Sequence, residues 1–401
     1  MNGHPHPNDP NNGIELPLLS SLSPYFPDYS QKDLELLNEL IQDNKINLTL
    51  LRKFCYQDNL AHYPKLRPLF WRLLLGFLPL DVKGWKEVTQ LNKLLYQEYI
   101  SEFFIKNDDN NIVEYSSSSE KSIEFYQEPV KVKASVDHPL NVGKNSNWQV
   151  HFKNKELWNT IEKDTKRTRA DDKFFSQFTK KKYPSLSKDC PSEENKREGV
   201  EMHKDVMTRI LFIFAKTHHY IKYVQGMNEI LAPIYFCLAT ANEKLFEENI
   251  EEDCFTCFSL LMSEIKENFT KVKDCSLLGF KTRIMLLDRL LKKVDPKLWN
   301  HLMKFSIMTE IYSTRWILLL LTQDFNLESI MRIWDVLFSY QDKQEFVNFL
   351  SLAMIISSRE EIMKESLEEI HLALRKTSKV KLEKILELAD NIARERNESD
   401  N

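Results

Sequence analysis

Apolar residues recur every three or four positions through most of this chain, and only eight glycines interrupt its 401 residues. That period gathers apolar side chains on one face of a helix, whereas a half-buried strand needs strict alternation. The spacing predicts helices at about 33–42, 67–78, 84–105, 153–168, 203–217, 227–240, 253–269, 278–293, 296–304, 313–323, 328–338 and 344–372. In the first of these, Leu34, Leu37 and Ile41 share a face, and Asn159 with Glu162 three residues later reads as a helix cap. There is no run of alternating strands and no internal repeat, and Leu, Lys, Glu and Ile are abundant, so the fold expected is all-α. The length allows two to three domains or one elongated domain.

Charge and composition narrow the function. The formal net charge is −4 with both signs interspersed, so no basic stripe offers a nucleic-acid footprint. No segment supplies the roughly 18 uninterrupted apolar residues of a membrane span. Met1 to Asn12 lacks the basic start and apolar run of a leader. A soluble, cytoplasmic protein is expected. Its six cysteines are scattered in a large chain, which suits reduced thiols rather than a disulfide framework.

Three stretches break the helical pattern. Residues 1–32, with His-Pro-His-Pro and Ser-Leu-Ser-Pro, read as a disordered tail. Polar insertions near 107–136 and 180–199 read as exposed excursions from the domain between 33 and 372. A charged amphipathic helix at 380–396 falls in an end piece, 373–401.

Three short constellations carry functional interest, each beside a plainer reading. In Arg67-Pro-Leu-Phe-Trp71, Pro68 can occupy the first helical turn and Trp71 and Leu75 share a face, as a buried structural helix would have it. In Ile161-Glu-Lys-Asp164-Thr-Lys-Arg167-Thr168, Asp164 lies three residues from Arg167 and could aim its guanidinium, with Ile161 anchoring the face. The plainer reading is a solvated basic helix end, because Lys166, Arg167 and Arg169 cluster there. In Tyr223-Val-Gln225-Gly226-Met, the glutamine and glycine fall at a junction between two helical segments. Glycine there permits a backbone closed to other residues, or the close approach of another molecule. An ordinary tight turn would also use it.

Taken together and in this order, Arg-x-x-x-Trp, Ile-x-x-Asp-x-x-Arg-Thr and Tyr-x-Gln-Gly-Met resemble the signature of TBC-domain GTPase-activating proteins acting on Rab-type small GTPases. Further resemblance lies in Asp137-His-Pro-Leu140, Arg315-Trp316 with Asp324-Phe325, and Arg332-Ile-Trp-Asp335, so the likeness spans roughly 55–355. Asp137-His-Pro-Leu140, Phe174-Phe175, Tyr183-Pro184 and Tyr223 to Pro233 most resemble the member-thirteen branch. The chain departs from many relatives at His62-Tyr63-Pro64-Lys65, where they carry a Gly-containing turn, and in its long insertion at 107–136.

The resemblance implies a two-lobed helical domain that regulates vesicle trafficking by accelerating GTP hydrolysis on a GTP-bound Rab. Arg167 would act as an arginine finger and Gln225 as a glutamine finger, both supplied in trans. Asp164 and Tyr223 would hold the fingers, Gly226 would let the turn lie close to the nucleotide, and Ile161, Arg67 and Trp71 would support them. The chain would need no cofactor or metal of its own, because GTP and magnesium arrive on the partner. Membrane contact would come through the lipid-anchored GTPase, with peripheral recruitment to endomembranes.

Other readings compete. A catalytically silent helical scaffold that binds GTPases would have no chemical need for both Arg167 and Gln225. Cys254-Phe-Thr-Cys257 has redox or zinc spacing, but it sits in an apolar helical pattern without a second pair, which favours buried free thiols. His218-His219 reads as a helix end. The chain has neither a Gly-x-Ser-x-Gly elbow nor a phosphate-binding Gly-x-x-x-x-Gly-Lys loop, so hydrolase chemistry and intrinsic nucleotide binding are not expected.

Overall fold

A computed structural model describes residues 26–57, 59–105, 147–179, 201–241, 243, 245–269 and 279–399. Most of the expected tail, the insertions at 107–136 and 180–199, the Asp137–Leu140 and Tyr183-Pro184 motifs, Cys190 and Cys275 lie outside the described residues. The fold is all-α, in two compact units: residues 1–93 with 229–401, and residues 94–228.

The first unit opens with α1 (Gln31–Leu40), which starts slightly earlier than its apolar spacing predicts. Ser30 caps it, its side chain accepting from the Asp33 amide while Asp33 accepts from the Ser30 amide at 2.7 Å. A short hairpin comes next, β1 (Ile41–Gln42) against β2 (Lys45–Ile46), turned by Asp43 and Asn44 at φ of 50° and 65°. Asp and Asn tolerate that left-handed backbone better than most residues, which lets a two-residue turn form without glycine. Helix α2 (Leu48–Tyr56) is not among the helices that periodicity predicts. Asn47 caps it by accepting from the Leu50 amide at 3.1 Å, and Leu51 and Cys55 bury its inner face.

Helix α3 (Arg67–Leu74) carries Pro68 in its first turn and ends at Gly76, whose φ is 79°. The Gly76 amide bonds the Leu73 carbonyl and the Phe77 amide reaches back to Arg72, the paired pattern that closes a helix on a left-handed glycine. Trp71 packs edge-on to Phe338 and tilted against Trp334, with ring centroids 5.0 and 5.9 Å away. Beside it, the fully buried Arg72 donates to Glu243 at 2.7 Å and to Asp253 at 2.9 Å, and Tyr29 donates to Glu243 at 2.7 Å. Burial pushes the Asp253 carboxyl up to about 7 against the pull of Arg72. Cys254 and Cys257 are buried free thiols, both pushed upward by burial, and so are poor nucleophiles.

The predicted helix at 344–372 is three helices: Lys343–Ser357, Arg359–Ile362 and Leu367–Lys376. The chain turns at Ser358 and again before Leu367, where Ser366 stands at the N-cap. The predicted 313–323 helix begins earlier, at Thr309, and ends at Leu318, since Leu320 and Leu321 take positive φ. The helix at the carboxyl end, Leu382–Ser399, is longer than the predicted 380–396.

The second unit contains helix α4 (Asn147–Arg167) and helix α5 (His203–Thr217), which pack against each other. Phe104, Trp158 and Phe212 form an aromatic cluster with centroids 5.4–5.8 Å apart. The buried hydroxyls of Thr165 and Thr208 meet at 2.7 Å, which fixes the register of the two helices deep in the unit. The cap expected at Asn159 is not there. Helix α4 runs through it unbroken, and Thr160 directs its hydroxyl back to the Glu156 carbonyl, as a mid-helix residue does.

Candidate functional site

Arg167 is the last residue of α4 and is exposed. Its neighbours in the cationic cluster are differently occupied: Lys166 pairs with Glu162 one turn back at 3.4 Å, and Arg169 is buried at φ 44°. Among the described residues Arg167 makes no hydrogen bond or ion pair. Its position is set by the helix beneath it, where Ile161 is completely buried two turns before. The expected salt bridge from Asp164 to Arg167 is not formed. The Tyr223 hydroxyl donates to the Asp164 carboxylate at 2.7 Å, so that carboxylate is engaged by the glutamine turn and not by the Arg167 guanidinium.

Gln225 stands on a turn that the local sequence makes almost obligatory. Helix α5 stops at His218, whose carbonyl accepts from the amides of Ile221 and Lys222, and Lys222 takes φ 58°. The next turn is closed by the Met227 amide donating to the Val224 carbonyl at 3.1 Å, with Gly226 third at φ 103°. A type II turn demands positive φ at that third position, so glycine belongs there and Gln225 takes the outward second corner. Gln225 is exposed and, like Arg167, has no hydrogen-bonding partner among the described residues.

The two segments are tied by a small polar network in the same unit. Besides the bond from Tyr223 to Asp164, the buried Asn228 links both sides. Its amide nitrogen donates to Thr168 Oγ1 at 2.8 Å and to the Asp164 carbonyl at 3.4 Å. Its oxygen accepts from the Gly226 amide at 3.2 Å and lies 3.5 Å from the Tyr223 hydroxyl, whose proton goes to Asp164. Thr168 donates its own hydroxyl to the Asp164 carbonyl at 3.1 Å. Sequence reasoning misses Asn228. Its signal lies three residues downstream of the glutamine, where an asparagine stands in the first turn of a mostly apolar helix, Met227–Ala239.

Of the other expected site residues, Arg67 and Trp71 belong to the first unit and converge there on one carboxylate. Arg67 grips Asp335 through Nε and Nη2, both at 2.8 Å to their nearer oxygens, and the Trp71 indole donates to the same group at 2.8 Å. Asp335 is completely buried, so this is a structural lock between α3 and the helix Leu327–Ser339. The direct supports of the glutamine turn are Asp164, Tyr223 and Asn228. No group of three or more His, Cys, Asp or Glu side chains that could hold a metal ion exists among the described residues. Among the same residues no helix is long and apolar enough to cross a membrane. His218, at the end of α5, is stacked on Phe214 at 4.3 Å, and burial holds its pKa below the ordinary value.

Known proteins resemble this chain in sequence and in fold. The family model described as Rab-GTPase-TBC domain matches residues 133–363. TBC1 domain family member 13 of Mus musculus is 32% identical over 369 residues, covering 81% of this chain and 88% of that protein. The protein of the same name from Homo sapiens is 30% identical with the same coverage. The crystal structure of the Ypt/Rab-GAP domain of Gyp1p superposes with a TM-score of 0.63 at 19% identity, covering 89% of this chain and 95% of that one, a likeness of fold.

Proposed function

We propose that this chain, which belongs to the Rab-GTPase-TBC domain family and within it sits with the member-thirteen proteins, accelerates GTP hydrolysis on a Rab-type GTPase by supplying Arg167 and Gln225 in trans. The observation that carries the reading is the pairing of two exposed side chains, one arginine and one glutamine, neither with a partner among the described residues, on segments fastened by Tyr223 and Asp164.

GTP hydrolysis on a small GTPase is limited by charge on the transferring phosphoryl group and by poor orientation of the attacking water. A guanidinium answers the first need: it is always charged, planar, and donates several hydrogen bonds to phosphate oxygens at once. A primary amide answers the second, because it accepts from water, donates toward phosphate, and adds no charge. In this account Gln225 takes the place of the partner's own glutamine. Pre-fastening both groups lowers the ordering cost at the moment of reaction, which is the role of Asp164, Tyr223, Gly226 and Ile161.

On this reading the catalytic domain runs from 33 to 372, and 373–401 is an end piece. GTP and magnesium come with the GTPase, and the chain reaches endomembranes through its lipid-anchored partner, where it would regulate vesicle trafficking from the cytoplasm. The test is single-turnover hydrolysis across a panel of GTP-loaded Rab proteins with wild type, Arg167→Ala and Gln225→Ala. Acceleration of one or a few Rabs that falls by about 10³-fold or more in Arg167→Ala supports the reading. Binding without acceleration of any Rab would favour a silent scaffold instead.

A further inference from the structure

We infer that Asn228 is the positioning residue of this site, coupling the segment that bears Arg167 to the turn that bears Gln225; the inference rests on the two-finger reading. A side-chain amide offers two donors and two acceptor lone pairs. In Asn228 the nitrogen and the oxygen divide the two segments between them. The nitrogen serves the end of α4, through Thr168 Oγ1 and the Asp164 carbonyl, and the oxygen serves the turn, through the Gly226 amide.

The atoms that Asn228 holds are neighbours of the proposed fingers in sequence. Thr168 follows Arg167 directly, and Gly226 follows Gln225 directly. The side chain is 5% exposed, so water replaces these bonds poorly when they are lost. Tyr223 and Asp164 make one bond between the same segments, at 2.7 Å, but it acts through a long phenol and a carboxylate, two and three residues from the respective fingers. Asn228 holds both segments at one short, buried amide.

Aspartate at this position is nearly isosteric and would keep the acceptor half. It would lose both amide donors and set a carboxylate oxygen against the Asp164 carbonyl, and Thr168 could answer only by turning its hydroxyl away from that carbonyl, so the turn would keep its partner while the hold on α4 weakened. Thr168→Val removes the other end of the shortest of these bonds at constant volume, and Thr168→Ser keeps the hydroxyl. These variants separate a coupling role from general packing.

The experiment is multiple-turnover hydrolysis on the Rab that responds to wild type, with Asn228→Ala, Asn228→Asp, Thr168→Val and Thr168→Ser, each checked for an unchanged melting profile. Hydrogen exchange at the Gly226 amide is read alongside by NMR. The expected result is a fall in kcat of about 10- to 100-fold for Asn228→Ala, Asn228→Asp and Thr168→Val, with KM within about threefold of wild type and recovery in Thr168→Ser. Gly226 exchange should quicken in Asn228→Ala and stay slow in Asn228→Asp. If Asn228→Ala fails to fold, the Thr168 pair decides the kinetic question. Unchanged kcat in a folded variant, or a loss carried entirely by KM, would overturn the inference. Should wild type accelerate no Rab, the two-finger reading falls, and unchanged Gly226 exchange in Asn228→Ala would independently dismiss the clamp.

Discussion

At the scale of the residue, the site depends on which groups are engaged and which are left open. Lys166 is held by Glu162 and Arg169 is buried, whereas Arg167 is exposed at the end of α4. Gln225→Ala should therefore lose about 10²- to 10³-fold in kcat with little change in melting temperature, the size associated with removing one preorganised transition-state donor. Gly226 makes the opposite case. At φ 103° a side chain is strained, so Gly226→Ala should cost about 1–2 kcal/mol in a denaturation midpoint and lower kcat as well. A melting curve and an activity both matching wild type would show that the turn does not need its glycine. The pairing of Asp164 with Tyr223 is half legible in the sequence: both residues stand out there, but spacing suggests Arg167 as the carboxylate's partner. A contact 59 residues apart along the chain leaves no periodic trace, and the adjacent arginine offers a local partner. Asn228 escapes notice because an asparagine at the start of an apolar helix reads as an ordinary helix-start residue.

At the scale of the element, periodicity locates α5 to the residue but joins the three helices beyond Lys343 into one. Apolar residues continue at helical spacing from 344 to 372, and the breaks fall at serines, which are compatible with either a helix or a turn, so pattern alone does not find them. Helix α2 is overlooked for a different reason: at nine residues it is too short for its apolar spacing to establish a period. Helix α5 also carries a pH-dependent feature at both ends. His203, its first residue, stacks on Phe174 at 4.1 Å, His218 lies just past its end, and burial holds both below the ordinary histidine pKa. A depressed folded pKa means that the unfolded chain binds protons first. Their contribution to stability is complete above about pH 6.5 and is lost as pH falls through the lower folded values. Melting temperature should decline between about pH 7 and 5 in wild type and decline less in His203→Phe/His218→Phe. Identical slopes would assign the acid sensitivity to other groups.

At the scale of the molecule, the two units carry different work. Both proposed fingers and their whole polar support lie within residues 94–228, while Arg67, Trp71 and Asp335 lock the interior of the other unit. Asp335→Ala strips the anion from a part-buried guanidinium and a buried indole N–H, and should cost about 3 kcal/mol, the lower end of the range for breaking a buried ion pair. Its activity loss should track the unfolded fraction in a denaturant titration, unlike that of Arg167→Ala, which should lose activity while fully folded. Action of the glutamine in trans is isolated by removing the competing group from the GTPase. The responsive Rab would be prepared with its own catalytic glutamine replaced by alanine, loaded with GTP, and mixed with wild type or Gln225→Ala. Wild type should still accelerate hydrolysis on the altered GTPase, and Gln225→Ala should not. Loss of acceleration by wild type on the altered GTPase, with binding retained, would contradict action in trans.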